Sequence, residues 1–334
     1  MTLLFILVVL FVALVAYCVA GGADFGVGIV EMLSPTSERR RVRQLSEKAI
    51  GPIWEANHVW IVLIIVILFV AFPTVHTQLT TSMHVPLLIM LVGIVLRGTA
   101  FTFRYYDLAE DVHSDRLWTW LFRLGSLLVP ISFGAIAATL HAETIPSTVT
   151  TVWGSYMAPW LTWYALATGL FVAALFAWTA SVFLCSELEA EDDLQAWIRR
   201  AHVFGIACAV LGAVASAAAV LEGVLELDEL GQPIAAASLL TATAAAGFVA
   251  RYVGRKVWPT RIAVSVATAS ILGGYWGAHF PTAVALDGQA LSWREAAAPD
   301  ASLNALSLAL VVGLALIGPG LIVLYRVFKP AQRR

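Results

Sequence analysis

Residues 54–69 read WEANHVWIVLIIVILF, a short polar run that leads directly into continuous hydrophobic residues. Such a run has no alternation of polar and apolar residues, which favours a membrane-spanning helix over a strand. Glu55, Asn57 and His58 lie at its start, where the hydrocarbon of a bilayer should begin. Ionisable groups at membrane depth cost free energy, so a functional role is the default hypothesis for them. The stretch predicts both a transmembrane helix and a candidate site.

The composition places the whole chain in a membrane. Of its 334 residues, 60% are hydrophobic and 13% are charged, and the mean hydropathy is +0.84, whereas soluble domains are about 45–50% apolar. The formal net charge of −2 shows no basic excess, which excludes nucleic-acid binding. Cys18, Cys185 and Cys208 do not have the spacing of a metal site or a disulfide framework. The sequence predicts an all-α integral membrane protein without a metal site.

Apolar windows of about 20 residues, the length that crosses a hydrocarbon core, indicate about nine transmembrane helices. No connection between them is long enough to bury a core of its own, so residues 1–334 are predicted to form a single polytopic membrane domain. The first four helices, within residues 1–140, carry most of the polar residues, and the helices within 159–328 are interpreted as a scaffold. The predicted spans are 3–31, 53–73, 85–103, 118–140, 159–184, 202–222, 234–250, 262–284 and 303–326.

The positions of lysine and arginine predict the orientation, because basic loops stay in the cytoplasm. Alternate loops and the C-terminal tail hold nearly all of these residues, whereas the opposite loops hold essentially only Arg294. We therefore expect a periplasmic N-terminus and a cytoplasmic C-terminus. No basic segment precedes the first span, which is expected to be retained rather than cleaved as a signal peptide. The residues on the predicted cytoplasmic side are Arg39, Arg40, Arg41, Arg43, Lys48, Arg116, Arg199, Arg200, Arg255, Lys256, Lys329, Arg333 and Arg334.

Asp24 and Arg97 are charged residues inside predicted spans. Asp24 lies among four glycines in residues 21–28, where another helix can approach closely, and its carboxylate must face protein or water. A functional role and a structural role remain open for it. Arg97 should pair with a carboxylate, for which Asp24 and Glu55 are the candidates. Arg104 lies two helical turns further on the same face and is expected to snorkel to the interface. Solvated or snorkelling side chains are also expected at span ends, for Arg123, Glu222 and Arg251.

Glu55 has His58 three residues later, on the same helix face. A carboxyl group partly removed from water could exchange protons near neutral pH, which suits a proton relay. The alternative is an interfacial carboxylate that the helix dipole favours and the loop solvates. As a haem ligand His58 lacks a suitably placed second residue, so a relay or packing role is favoured.

The sequence has no phosphate-binding glycine loop and no zinc-protease motif. ATP-driven transport, nucleotide redox chemistry and intramembrane zinc proteolysis therefore lack their parts, and a relay without an energy source indicates a partner subunit. Two alternatives remain open. One is a stand-alone secondary transporter that uses Asp24, Glu55 and Arg97, and the other is a structural anchor in which these charges only hold helices together.

A long ordered set of motifs resembles subunit II of the cytochrome bd-type quinol oxidases, including the cyanide-insensitive branch. Residues 17–130 are the motif-dense part, and the resemblance continues to the last span in order and length. It rests on the glycine-rich segment with Asp24, the run IGPIWEANHVW at 50–60, AFP at 71–73, Arg97 through Phe101 to Arg104, and Trp118, Trp120, Gly125, Ser126 and Pro130.

This resemblance implies a two-subunit complex of the bacterial plasma (inner) membrane that oxidises quinol and reduces dioxygen to water. Two b-type haems and one d-type haem are expected in subunit I, with no cofactor bound by this chain. Quinone, the lipid bilayer and small accessory membrane subunits are the further expected partners.

The resemblance also implies roles for single residues. Glu55 stands where the family usually has an aspartate linked to proton uptake from the cytoplasm, and Asp24 and His58 are expected to continue the proton pathway. The family often has a second acid at the position of Gly21, which this sequence lacks. A structural role or a place at the subunit I interface is expected for Trp54, Asn57, Trp60, Arg97 and Arg104.

Overall fold

The computed structural model describes residues 1–50, 54–106, 112–146, 148–149, 151–185, 187–188, 194–226 and 232–328. Within them the chain forms twelve helices and one short hairpin. In chain order these are α1 (Thr2–Leu33), α2 (Arg39–Ile50), α3 (Trp54–Ala71), α4 (Pro73–Ser82), α5 (His84–Tyr106), α6 (Val112–His141), α7 (Val152–Tyr156), α8 (Trp163–Leu184), α9 (Leu194–Leu221), α10 (Pro233–Tyr252), α11 (Val257–His279), β1 (Thr282–Leu286), β2 (Gln289–Ser292) and α12 (Asp300–Phe328).

Seven helices in the described ranges are long and apolar enough to cross a membrane, namely α1, α5, α6, α8, α9, α10 and α12. The bent pair of α3 and α4 raises the number to eight. The prediction of a predominantly helical, multi-pass membrane protein is confirmed. The count of about nine stays a prediction, because α11, with 23 residues, is not among these helices. The orientation of the termini also stays a prediction.

Helix α1 packs against α3, α6 and α8, and glycines set how closely its neighbours approach. A Cβ atom at Gly26 would lie 1.9 Å from the carbonyl oxygen of Phe176 on α8, and one at Gly28 would lie 2.2 Å from Ser126 Oγ on α6. The predicted close approach at this segment is therefore confirmed. It holds Asp24, two residues before Gly26, inside the bundle, where it is 1% exposed.

The second predicted span ends in a sharp bend. Helices α3 and α4 differ in direction by 118°, and Pro73 at the start of α4 has no N–H to continue α3. The Ala71 carbonyl instead accepts a hydrogen bond from the Ala298 N–H at 2.8 Å. Phe72, fully buried at the bend, contacts the Trp293 ring at a centroid distance of 4.8 Å. The segment after the hairpin therefore stabilises the break.

The prediction that the eighth span, 262–284, stays helical up to residue 284 is wrong. Helix α11 ends at His279, and residues 282–292 form an antiparallel hairpin instead of helix. Pro281 cannot donate a helical hydrogen bond, and Asp287 and Gly288 adopt positive φ angles of 48° and 74°, which a tight hairpin turn requires. Trp293, just after β2, stacks on Trp276 of α11 at 5.4 Å and fixes the hairpin to the bundle.

The connection between the first and second predicted spans contains helix α2. Its apolar face buries Val42 and Leu45 against the bundle, with exposed fractions of 0% and 2%. Its arginines lie on the other faces, where Arg43 pairs with Glu47 at 2.8 Å. The helix was not predicted, because its amphipathic pattern is short and the segment is highly charged. Helix α2 therefore covers the end of the bundle at which Glu31 and Arg104 lie.

Candidate functional site

Asp24 and Arg97 form a buried ion pair between α1 and α5. Arg97 Nη2 donates to Asp24 Oδ1 at 2.6 Å and to the Asp24 carbonyl oxygen at 3.0 Å. Both side chains are 1% exposed. The prediction that Arg97 pairs with a carboxylate is confirmed, since an unpaired guanidinium at this depth is too costly.

A second cluster of charges lies seven residues further along both helices. Glu31 accepts hydrogen bonds from Arg104 Nη2 at 3.0 Å and from Arg123 Nη2 at 3.0 Å. Its side chain is 1% exposed, and those of Arg104 and Arg123 are 3% and 16% exposed. The expectation that Arg104 and Arg123 snorkel is wrong, because Glu31 holds both guanidiniums inside the protein.

The two clusters share their geometry because the spacing on both helices is the same. Asp24 and Glu31 are seven residues apart on α1, as are Arg97 and Arg104 on α5. Seven residues are about two turns of an α-helix, so each pair shares one face. Each acid therefore meets its own arginine, which requires α1 and α5 to run in the same direction, as the first and third spans should.

Phe122 of α6 links the two clusters. Its ring centroid lies 5.0 Å from Arg97 Cζ and 4.5 Å from Arg104 Cζ. Phe25 of α1 contacts Arg97 from another direction, also at 5.0 Å. Aromatic faces attract guanidinium groups, and the attraction is stronger where water is excluded. The rings therefore hold the arginines in place without adding negative charge.

Several polar atoms of these clusters have no hydrogen-bond partner in the described part of the chain. They are Asp24 Oδ2, Nε and Nη1 of Arg97, and Nε and Nη1 of Arg104. A buried donor or acceptor left unpaired costs about 1–3 kcal/mol. The two clusters therefore retain unmet hydrogen-bonding capacity inside the described part of the chain.

A cavity of about 10 Å³ lies beside both arginines. A cavity of this size holds one particle of about the size of water. It lies among α1, α2, α5 and α6. Its walls are formed by Val27, Glu31, Arg43, Ser46, Glu47, Arg97, Phe101, Arg104 and Phe122.

Helix α3 flanks the turn of α1 that carries Asp24. Asn57, 4% exposed, donates from Nδ2 to the Ala20 carbonyl oxygen at 3.4 Å. The His58 ring contacts the Phe25 ring edge to face at 6.1 Å. Trp60 is half-buried and packs beside the same part of α1. Asn57, His58 and Trp60 thus lie beside the part of α1 that carries Asp24.

The side chains of Trp54 and Glu55 lie outside the described residues, although the backbone of both belongs to α3. The predicted relay from Glu55 to His58 therefore remains a prediction. Arg97 and Arg104, expected to be structural or interfacial, each pair with an acid of α1.

Glu31 and Arg123 were not predicted as members of a site. Glu31 is the last residue of the predicted first span, where a charged residue is read as the membrane boundary. The equal spacing of Asp24 with Glu31 and of Arg97 with Arg104 is the signal in the sequence that would have indicated it. Two residues expected to be solvated are indeed exposed, Glu222 and Arg251.

A second polar cluster lies at the opposite end of α6. Tyr164 Oη and His141 Nδ1 are 2.9 Å apart, and His279 Nδ1 donates to the Tyr275 carbonyl oxygen at 2.8 Å. The two histidine rings contact each other edge to face at 4.3 Å, which leaves no room for a porphyrin between them. In the part of the chain that the structure describes, no group of three His, Cys, Asp or Glu side chains could hold a metal ion.

Comparison with known proteins identifies the family. The profile described as "Cytochrome bd terminal oxidase subunit II" matches residues 1–328. The cytochrome bd ubiquinol oxidase subunit 2 of Bacillus subtilis is 32% identical over 119 residues, which is 36% of this chain and 34% of that protein. The cytochrome bd-I ubiquinol oxidase subunit 2 of Escherichia coli K12 is 26% identical over 123 residues, which is 37% of this chain and 31% of that protein. These alignments span about a third of each relative.

The fold also matches a solved structure, that of the bd oxidase from Geobacillus thermodenitrificans. The TM-score is 0.78 at 18% sequence identity, and the match covers 99% of this chain and 100% of that chain. The likeness therefore concerns the whole fold, including the parts beyond the motif-dense first helices. With the profile match over almost its full length, this multi-pass protein of the bacterial inner membrane belongs to the cytochrome bd terminal oxidase subunit II family.

Proposed function

We propose that this chain is the haem-free subunit of a complex that oxidises quinol and reduces dioxygen to water, with subunit I carrying the haems. Family membership supports this assignment, as do the names of the relatives from Bacillus subtilis and Escherichia coli, which are ubiquinol oxidase subunits. The stand-alone transporter finds no support in these comparisons.

Within that complex, we propose that this chain helps to deliver protons from the cytoplasm. The observation that carries the proposal is the Asp24 carboxylate, 1% exposed, with Oδ2 unpartnered among the described residues. Asn57 and His58 contact α1 on both sides of Asp24, through Ala20 and Phe25. The contact of His58 with Phe25, the residue after Asp24, supports a path between them.

The proposed path runs from Glu55 through His58 to Asp24. Glu55 precedes His58 by three residues, which is about one turn of α3 towards the basic end of the bundle. Imidazole can accept and release a proton near neutral pH, so it can connect two carboxylates. Arg97 acts as a positioning residue, because Nη2 donates to Asp24 Oδ1 and to the Asp24 carbonyl oxygen and leaves Oδ2 for a proton or a water molecule.

The test replaces Glu55 and His58 by glutamine in the assembled complex. Each variant should reduce the rate of quinol-driven oxygen consumption by at least about a hundredfold, the low end of what a positioned proton donor contributes. Haem content and subunit stoichiometry should stay unchanged. Glu295→Gln, at an exposed position after β2, is the matched control and should keep the full rate.

Unchanged turnover of a fully haem-loaded Glu55→Gln complex would contradict the proton-delivery role. Loss of assembly in both variants would instead favour the purely structural anchor.

The outer face of α3 is the proposed contact with subunit I. Val59, Val62, Ile65 and Phe69 recur at helical spacing and are 39%, 57%, 49% and 63% exposed. This face adjoins Trp60 and the start of α3, where interface residues were predicted. A cysteine introduced at Val62 should form a crosslink to subunit I in membranes. A cysteine at Leu239 of α10, 62% exposed, is the matched control and should not.

A further inference from the structure

We propose that the gap between α9 and α10 binds one anionic phospholipid of the bilayer, with its headgroup at the basic end of these helices and an acyl chain between them. This site is separate from proton delivery through Glu55 and His58. It rests on three observations: an open space between two membrane helices, basic side chains at its closed end, and aromatic side chains beside them.

The two helices meet at their basic end. His202 Nε2 of α9 donates to the Ala250 carbonyl oxygen of α10 at 2.8 Å. Ile198, one turn before His202, packs against the turn that follows α10, where a Cβ atom at Gly254 would lie 2.5 Å from Ile198 Cδ1. The gap is therefore closed at this end.

Beyond this contact the facing surfaces are exposed. Helical periodicity places Ile206 on the face of α9 that carries His202, and Leu239 on the face of α10 that carries Ala250. Ile206 and Leu239 are 65% and 62% exposed. A Cβ atom at Gly247, about one turn from Ala250, would meet no atom within 4 Å. We name this space the α9–α10 cleft, and its exposed lining is Ile206, Ala209, Ala213, Leu239, Thr243 and Gly247.

The lining of the α9–α10 cleft is apolar apart from the Thr243 hydroxyl. Both helices are long and apolar enough to cross a membrane, so the cleft opens towards the hydrocarbon of the bilayer. An acyl chain fills such a space with van der Waals contacts, whereas a water molecule needs two or more polar partners. The cleft therefore suits a lipid chain.

A basic cluster of three residues lies at the closed end of the cleft. Arg199 follows Ile198 on α9, and Arg255 and Lys256 follow Gly254. Because Ile198 and Gly254 lie against each other, the three basic side chains start from neighbouring positions. All three are exposed. In the described ranges, none of them forms an ion pair with an acid.

The chemistry of this cluster matches the headgroup of an anionic lipid. Guanidinium groups bind phosphate oxygens with paired hydrogen bonds, and an ammonium group adds a point charge. Basic pockets between membrane helices on the cytoplasmic side are typical sites for anionic headgroups. A zwitterionic lipid carries its own cation, so it compensates the cluster less. The charges therefore favour an anionic phospholipid.

Aromatic side chains indicate that the cluster lies at the depth of the headgroups. Trp258, two residues after Lys256, is 69% exposed. Lys256 Nζ lies 4.8 Å from the ring centroid of Tyr252, at the end of α10. Exposed tryptophan and tyrosine side chains are enriched at the membrane–water interface. A phosphate at the basic cluster would thus lie at the interface, with its chain in the cleft.

The first experiment places a fluorescent label on Thr243→Cys in the assembled complex, reconstituted in vesicles that mix phosphatidylglycerol with phosphatidylcholine. One of the two lipids carries brominated chains, which quench the label on contact. Quenching should show that phosphatidylglycerol binds in the cleft at least about tenfold more tightly than phosphatidylcholine, because each basic side chain adds to the attraction.

The double variant Arg199→Gln with Arg255→Gln should lose most of this preference. The matched control is Arg40→Gln with Arg116→Gln, which removes the same charge from exposed positions on the predicted cytoplasmic side and should keep it. Equal quenching by the two lipids in the labelled complex would overturn the proposal, and so would an unchanged preference in the double variant. Absence of quenching by either lipid would overturn it too, because another protein helix would then fill the cleft.

The second experiment holds even if the double variant does not assemble. Phosphatidylglycerol with a photoreactive group in its chain is added to the unmodified complex and irradiated. Attachment within residues 206–213 or 239–247 of this chain supports the proposal. Attachment only at other positions overturns it.

Discussion

Asp24 and Arg97 meet at 2.6 Å between α1 and α5, and neither side chain reaches the surface of the subunit. Removing one partner of a buried ion pair leaves the other charge uncompensated, which typically costs about 3–5 kcal/mol. Removing both partners costs much less when apolar groups fill the space. The pair therefore stabilises the fold only as a pair.

Arg97→Gln should consequently reduce the yield of assembled complex severely. The double variant Asp24→Leu with Arg97→Met should recover a substantial part of that yield, because no charge is left unpaired. Size-exclusion chromatography of the detergent-extracted complex, detected by a fluorescent tag, measures the assembled fraction. Arg251→Gln, at an exposed arginine of α10, is the control and should assemble normally. The argument fails if Arg97→Gln assembles as well as this control.

Glu31→Gln should lower the unfolding temperature more than Arg123→Gln. The first change leaves two guanidiniums facing each other without an acid, whereas the second removes a side chain that is 16% exposed and leaves Glu31 paired with Arg104. Thermal unfolding followed by tryptophan fluorescence compares the two variants. Equal shifts would show that Glu31 is not the centre of the cluster.

Gly26→Ala should prevent the folding of the subunit. A Cβ atom at this position would lie 1.9 Å from the Phe176 carbonyl oxygen, so α1 and α8 would have to move apart. Overpacking a tight core typically costs about 1–3 kcal/mol and more when backbone atoms clash. Gly247→Ala on α10, where a Cβ atom meets nothing within 4 Å, is the matched control. Folded yield is measured, and equal yields of the two variants would refute the close approach.

Trp293→Ala should loosen the bend between α3 and α4. Trp293 stacks on Trp276 and contacts Phe72 at the bend itself. Truncating a large packed aromatic residue costs about 3–5 kcal/mol. Hydrogen–deuterium exchange should show faster exchange at residues 71–76 in the variant. Trp153→Ala, at a tryptophan that is 65% exposed, serves as the comparison and should leave this segment protected.

The sequence predicted the helical membrane fold because long apolar runs leave few alternatives in lipid. It also predicted that Arg97 pairs with an acid, since a charge at that depth must be paired, but it left both Asp24 and Glu55 as candidates. The glycines around Asp24 indicated the close approach of other helices, because small residues allow helix backbones to come near each other. In each case one physical constraint was strong enough to determine the structural feature.

Other features depended on tertiary contacts that the sequence does not display. Arg104 could have snorkelled, and only the position of Glu31 on the facing helix keeps it inside. The hairpin after α11 follows an apolar stretch, and Pro281 with the Asp287–Gly288 turn was outweighed by hydropathy in the prediction. Helix α2 was masked by its arginines, because its apolar face has only a few residues.

The central claim is that this chain works beside a haem-bearing partner in one complex. The most direct measurement is purification of the tagged chain from its native membrane, followed by a reduced-minus-oxidised visible spectrum and identification of the co-purified chains. The account predicts b- and d-type haem signals together with a subunit I partner, and their loss when the isolated subunit is measured. Purification of this chain alone, without a partner and without haem signals, would contradict it.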